Sequence, residues 1–245
     1  MYLRVSASGY ATENADASAN AFALSRVKQA LEFGRCLGLF RLRYASDQAH
    51  CFSHSAIDPK TEQYWVTQSL EVTSYLARVN LVDGVFESAA ATLEVVDNSK
   101  PEVQAEIFLK KYRTASEVLR RPLDDSDATA IRTACEWSFD SRAGRNETIA
   151  FLQSCIGLEA ILGEATSLDE PLVGQLSDRC AYLIGKTIRD RRDIKKLFRD
   201  VYNVRSKLVH GRSARLEARD ADILHSARQL LTDVISREAT LMSGK

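Results

Sequence analysis

Three side chains in this 245-residue chain carry groups of complementary chemistry: the guanidinium of Arg205, the imidazole of His210 and the carboxylate of Glu159. An imidazole exchanges protons near neutral pH. A guanidinium fixed in place neutralises charge that develops on reacting oxygens. On an ideal helix at ~100° per residue, Leu197, Phe198, Val201, Val204, Leu208 and Val209 form one broad apolar stripe over residues 191–210. Arg205 falls inside that stripe, between Phe198 and Val201 in angular position. Glu159 intrudes in the same way into the stripe of Phe151, Leu152, Cys155, Ile156, Leu158 and Leu162 over residues 146–163. A buried charge needs a partner. The simplest resolution is that Glu159 and Arg205 meet in the core and neutralise each other. Such a pair adds little net stability but is costly to break from one side, and it would hold the guanidinium still.

Arg205 and His210 stand five residues apart, ~140° around a regular helix, and so do not share a face. Either the long arginine bends toward the helix end, where Gly211 stops the helix and frees His210 to turn, or the two converge across a dimer axis. Arg199, Asn203, Ser206 and His210 occupy a narrow polar arc opposite the apolar stripe. Lys186, Arg189, Arg191, Arg192, Lys195, Lys196, Arg199, Arg205, Lys207, Arg212 and Arg215 crowd the same region, against Asp190, Asp193 and Asp200. A basic surface around His210 attracts phosphates and makes binding salt-dependent. Plain structural alternatives remain open: a packing arginine with a helix-ending histidine, a Glu159 that reaches water, and a basic cluster that is a solvated helix face.

The elements that must position these residues are helical. Periodicity, caps and prolines predict helices near 102–120, 126–140, 146–163, 170–187, 191–210 and 217–241. Asp124, Asp125 and Ser126 offer N-caps. Pro122 closes one helix and Gly163 another, and Pro171 suits a first turn. Connected helices with short links make a bundle. Upstream, residues 6–20 read as a loose leader, 21–44 as an amphipathic helix and 45–61 as a loop. Residues 62–98 are ambiguous between strand and helix, with a turn at Asp83-Gly84. Asp97-Asn98-Ser99-Lys100-Pro101 is the linker candidate, since Pro101 disfavours helix before it. The expected division is therefore an N-terminal region of unknown role over 1–100, mostly helical or mixed, and a helical domain over 101–245. The fold class is all-α.

Composition narrows the remaining classes. Lys plus Arg and Asp plus Glu are 33 each, so only local charge informs about partners. Hydrophobic residues make up 45% and charged residues 27%, enough for a packed core. Cys135, Cys155 and Cys180 sit among apolar helical neighbours and, with Cys36 and Cys51, show no Cys-x-x-Cys spacing. They read as reduced, buried thiols. No run approaches a membrane span and the first residues lack an apolar h-region, so the expectation is a cytoplasmic protein. His50-Cys51-x-x-His54 invites a zinc reading, but no second ligand pair stands at a useful spacing, and neither metal nor cofactor is assigned. No phosphate-binding glycine loop or Gly-x-Ser-x-Gly motif occurs. His225, on the last helix, reads as structural or surface, and Trp65 and Trp137 as packing residues.

The segment Tyr202-Asn-Val-Arg205-Ser-Lys-Leu-Val-His210-Gly211 resembles the Arg-x4-His signature of the HEPN superfamily, in its Apea-like branch. Phe151-Leu-Gln-Ser-Cys-Ile-Gly-Leu-Glu159-Ala-Ile-Leu-Gly163 is similar to that branch's first core helix, acidic residue included, and Cys135-Glu-Trp137-Ser-Phe139 to the approach to it. The likeness covers about residues 105–240. It implies a HEPN-like bundle and a metal-independent endoribonuclease, a hydrolase-class toxin or antiviral defence protein, acting as a homodimer with two motifs facing one cleft. Arg205 and His210 would be catalytic, with Glu159, Ser206, Asn203 and Tyr202 in support. Arg199, Lys207, Arg212, Lys195 and Lys196 would bind RNA. A regulatory protein partner would restrain such a nuclease. Many active members place Asn, Asp or His after the arginine; here it is Ser206, a weaker orienter. That departure keeps an alternative in play: a catalytically inactive HEPN-fold module that binds RNA, a nucleotide or a protein partner.

Overall fold

A computed structural model describes residues 16–39, 41–43, 92–94, 101–122, 124–144, 146–163, 172–217 and 220–243. Seven helices occur among them: α1 (Asp16–Cys36), α2 (Pro101–Arg120), α3 (Ser126–Ala143), α4 (Glu147–Leu162), α5 (Leu172–Ile184), α6 (Ile188–Val209) and α7 (Ala221–Met242). The fold is all-α. Among the described residues, one short sheet pairs two three-residue antiparallel strands, β1 (Arg41–Arg43) and β2 (Thr92–Glu94), with Arg41 opposite Glu94. The expected features over 6–15, 45–61 and most of 62–98, the His50/Cys51/His54 group, Trp65 and Pro171 lie outside the described residues.

Helix α4 is the centre. It is apolar around most of its circumference, the pattern of a helix buried on several sides, and it packs on α3, α7, α6 and α5. Asn146 caps it, its side chain accepting from the Thr148 and Ile149 amides. Phe151, Cys155, Leu158 and Leu162 are buried as the periodicity predicts. Ile156 is not: it is 36% exposed, on the side of α4 that faces solvent. Val209, the last residue of α6, is 53% exposed, also outside the stripe expected for it.

Several boundaries move for identifiable reasons. Helix α6 begins at Ile188 rather than 191 because Thr187 and Asp190 form a capping box: the Thr187 hydroxyl accepts from the Asp190 amide at 3.1 Å, and the Asp190 carboxylate from the Thr187 amide at 3.0 Å. Helix α1 starts at Asp16, inside the stretch read as a leader, since its alanines form helix without any apolar period. It stops at Cys36, well before 44. Gly38 adopts φ +67° there, with the Leu39 amide reaching the Gly34 carbonyl at 2.8 Å, and chain pairing in β1 follows.

The core also crosses the division expected at residue 100. Leu31, Phe33 and Cys36 of α1 join the same apolar cluster as α2, α3, α4 and α7. Two long polar seams fasten α1 to α3. In one, Lys28 meets Asp140 at 2.9 Å, and Glu136 accepts from Ser25 and Gln29. In the other, Glu32 is completely buried. It is bound by Arg35 at 2.6 Å, Ser138 at 2.5 Å and Arg142 at 3.6 Å. Thr232 of α7 accepts from both Arg35 and Arg142, at 3.0 and 2.9 Å.

Candidate functional site

Glu159 lies on the last turns of α4, against α6. Its carboxylate meets the Arg205 guanidinium through Nη2, at 2.8 Å to Oε1 and 3.1 Å to Oε2. Tyr202, one turn before Arg205, donates its hydroxyl to the same Oε1 at 3.1 Å. The Tyr202 ring stacks on Phe198 with centroids 4.7 Å apart, and the Arg205 head group lies 5.6 Å from the Tyr202 ring centre. Burial, together with the Glu159 charge, pushes the Tyr202 phenol well up, so it keeps its proton and acts as a donor. Burial likewise pushes the adjacent Cys155 thiol up to about 12, which removes it as a nucleophile.

The meeting of Glu159 and Arg205 is thus as the two stripes imply, but its depth is not. Their side chains are 27% and 29% exposed, so the pair sits at the rim of the α4–α6 contact rather than in the core. Long charged side chains bury their stems and leave their heads at the edge. Arg205 therefore presents a guanidinium that is anchored on one side and still open to solvent.

His210 follows as the C-cap of α6 (φ −88°, ψ 12°) and is exposed. Gly211 at φ +68° closes the helix: its amide reaches the Leu208 carbonyl at 3.2 Å, and the Arg212 amide reaches the Lys207 carbonyl at 2.8 Å. This is the paired end-bond arrangement that a left-handed residue after the cap permits. Gly211→Ala would place a side chain in left-handed backbone. It should cost roughly 1 kcal/mol in chemical unfolding and shift the His210 imidazole resonances more than those of any residue in α4.

The structure brings Glu159, Tyr202 and Arg205 together. It does not join them to His210: among the described residues the imidazole makes no hydrogen bond or ion pair, and the Arg205 head group turns toward α4 instead of bending to the helix end. Asn203, Ser206 and Arg199 are exposed, as are Lys196, Lys207 and Arg212. Lys195 is occupied by Asp178 at 2.7 Å. His225 is exposed on α7. Beside the turn lies a cavity of about 300 Å³ that the sequence did not reveal. Val204 and Leu208 give it an apolar wall; Lys207, Arg212 and Arg215 supply cations, and Glu217 and Asp220 oppose them. No family model, curated protein or solved structure matches this chain. The site must stand on its own geometry. Among the described residues, no three His, Cys, Asp or Glu side chains group closely enough to hold a metal ion, and no helix is long and apolar enough to cross a membrane.

Proposed function

We propose that the chain is a metal-independent RNA endonuclease of the HEPN type, acting as a homodimer. The observation that carries this reading is the anchored Arg205 guanidinium, 2.8 Å from Glu159, just over a turn before an exposed His210 on a basic helix. In the proposed reaction the ribose 2′-oxygen attacks the adjacent phosphorus while His210 takes the 2′-hydroxyl proton. Arg205 neutralises the charge gathering on the non-bridging oxygens. The bond from phosphorus to the 5′-oxygen breaks, and that oxygen leaves with a proton from the imidazole of the second copy. The products are a 2′,3′-cyclic phosphate and a 5′-hydroxyl. No electron changes hands and no metal ion is needed to balance the step.

The second copy has a surface to use. Ile149 and Ile156 stand seven residues apart on one side of α4, 54% and 36% exposed, and Val209 adds apolar area at the end of α6. In this reading the protein works in a cytoplasmic defence or toxin-like setting, where a partner protein restrains it.

The test is cleavage of mixed RNA by the purified full chain in EDTA, with the new ends identified chemically. Cyclic phosphate ends, and their disappearance in His210→Ala, are expected. Equal cleavage by His210→Ala would falsify the assignment. One observation favours a second reading, an RNA- or partner-binding module without turnover: Ser206 is exposed and, among the described residues, its hydroxyl bonds neither the Arg205 guanidinium nor the His210 imidazole. That reading expects retained RNA in gel assays and no new ends.

A further inference from the structure

The corner between α5 and α6 leaves an aromatic ring in solvent. Tyr182 is 63% exposed. The Arg191 guanidinium lies 4.7 Å from its ring centre and the Lys195 ammonium 5.6 Å. Both cations are fixed by other contacts. Arg191 Nε donates to the Gly185 carbonyl at 3.2 Å, and Lys195 is held by Asp178 at 2.7 Å. The turn is shaped around the arginine: a Cβ at Gly185 would stand 2.7 Å from Arg191 Cγ and 2.6 Å from the Ala181 carbonyl oxygen. An exposed ring beside the Arg191 guanidinium offers a base a stacking surface, and the arginine offers a phosphate its counter-charge.

From this corner a polar stripe runs the length of α6. Arg192, Lys196, Arg199, Asn203, Ser206 and His210 follow at alternating intervals of four and three residues, the spacing of one helix face, and every one is exposed. The stripe ends on the imidazole. Arg192 and His210 are eighteen residues apart, about 27 Å along the helix axis.

We propose that Tyr182 and Arg191 form a stacking platform for an unpaired base of single-stranded RNA, whose backbone then follows the α6 stripe to His210. This rests on the RNA reading above and narrows its substrate to unpaired strands. A stripe one helix face wide fits a single backbone, and stacking on Tyr182 requires a base that is not already stacked in a duplex.

The test is fluorescence anisotropy with a labelled oligouridine and, in parallel, a duplex RNA of the same length, using the full chain carrying His210→Ala so that nothing is cut. Tyr182→Ala should weaken oligouridine binding about tenfold, the scale of one lost base–aromatic stack. It should leave duplex binding unchanged, and Tyr182→Phe should bind like its parent. The proposal is overturned if Tyr182→Ala, with an unchanged circular dichroism spectrum, binds oligouridine as its parent does. It is also overturned if Phe fails as badly as Ala, or if the parent binds no oligouridine. The two ideas fail separately: oligouridine binding through Tyr182 by a chain that cuts no RNA removes the nuclease and keeps the platform, whereas cleavage of RNA with no dependence on Tyr182 does the reverse.

Discussion

Glu32→Gln lowers the stability of the folded chain by about 3 kcal/mol at pH 7, the lower end of what removing one partner from a buried ion pair does. The carboxylate is completely buried and faces two guanidinium groups, Arg35 at 2.6 Å and Arg142 at 3.6 Å. Removing its charge leaves both cations with less compensation in a poorly hydrated place. They keep the Thr232 hydroxyl, which is why the lower end applies. The same group sets a pH dependence. Burial pushes the Glu32 carboxyl up, but the Arg35 charge and hydrogen bond, the Arg142 charge and the Ser138 hydroxyl outweigh it and hold the folded value below the ordinary 4.5. The unfolded chain therefore takes up the proton first as pH falls. The stability Glu32 contributes is complete above the ordinary carboxyl range and is lost as pH drops through the lower folded value. Urea unfolding of parent and variant at pH 7 and near pH 3 checks both halves: the gap between them should be smaller at the second than at the first. A constant gap would mean that Glu32 acts through packing alone.

The contrast between this cluster and the Glu159–Arg205 pair explains how much the sequence could tell. Glu159 and Arg205 were legible because each interrupts a clean helical stripe, and the two interruptions carry opposite charge. Glu32 also lies between buried residues, Leu31 and Phe33. Its partners Ser138 and Arg142, however, come from a helix over a hundred residues away, and nothing local announces them. The helices from Pro101 onward are readable from Pro122, the Asp125 cap, Gly163 and Gly211, all of which act within one turn, whereas the Asn146 cap is visible only in the structure. The start of α1 was not, because an Ala-Ser run carries helix propensity without a period. Ile156 and Val209 lie at the angular edges of their stripes and are exposed, since a period gives an angle around a helix but not how far round it the neighbouring helices reach. The polar face that runs from Arg192 to His210 was visible only in its last four members. The ring at its far end sits on another helix, so no spacing rule could connect them.

In the proposed reaction, Arg205→Ala should lower the rate of RNA cleavage by about 10²–10³-fold, the usual effect of removing one preorganised charge from a developing oxyanion, with little change in global stability. The second half of that statement follows from exposure. Both side chains of the pair are more than a quarter exposed, and ion pairs open to water contribute little to folding. Arg205→Lys separates charge from geometry: an ammonium keeps the charge but not the planar fork, so it should recover only part of the rate. Glu159→Gln leaves the guanidinium and the Tyr202 hydroxyl in place but removes the charge that anchors Arg205. Its expected effect is a smaller drop in kcat, on the order of tenfold, since orientation is weakened while charge stabilisation is kept. In the double variant Arg205→Ala with Glu159→Gln, cleavage should fall no further than with Arg205→Ala alone, because Glu159 acts only through the arginine. His210 serves a different step of that proposed reaction, the proton transfers, so the loss expected for His210→Ala should persist whatever stands at 159. If Glu159→Gln in an Arg205→Ala background removes a further factor of ten, the carboxylate touches the reaction itself, and proton transfer has to be reassigned between it and His210.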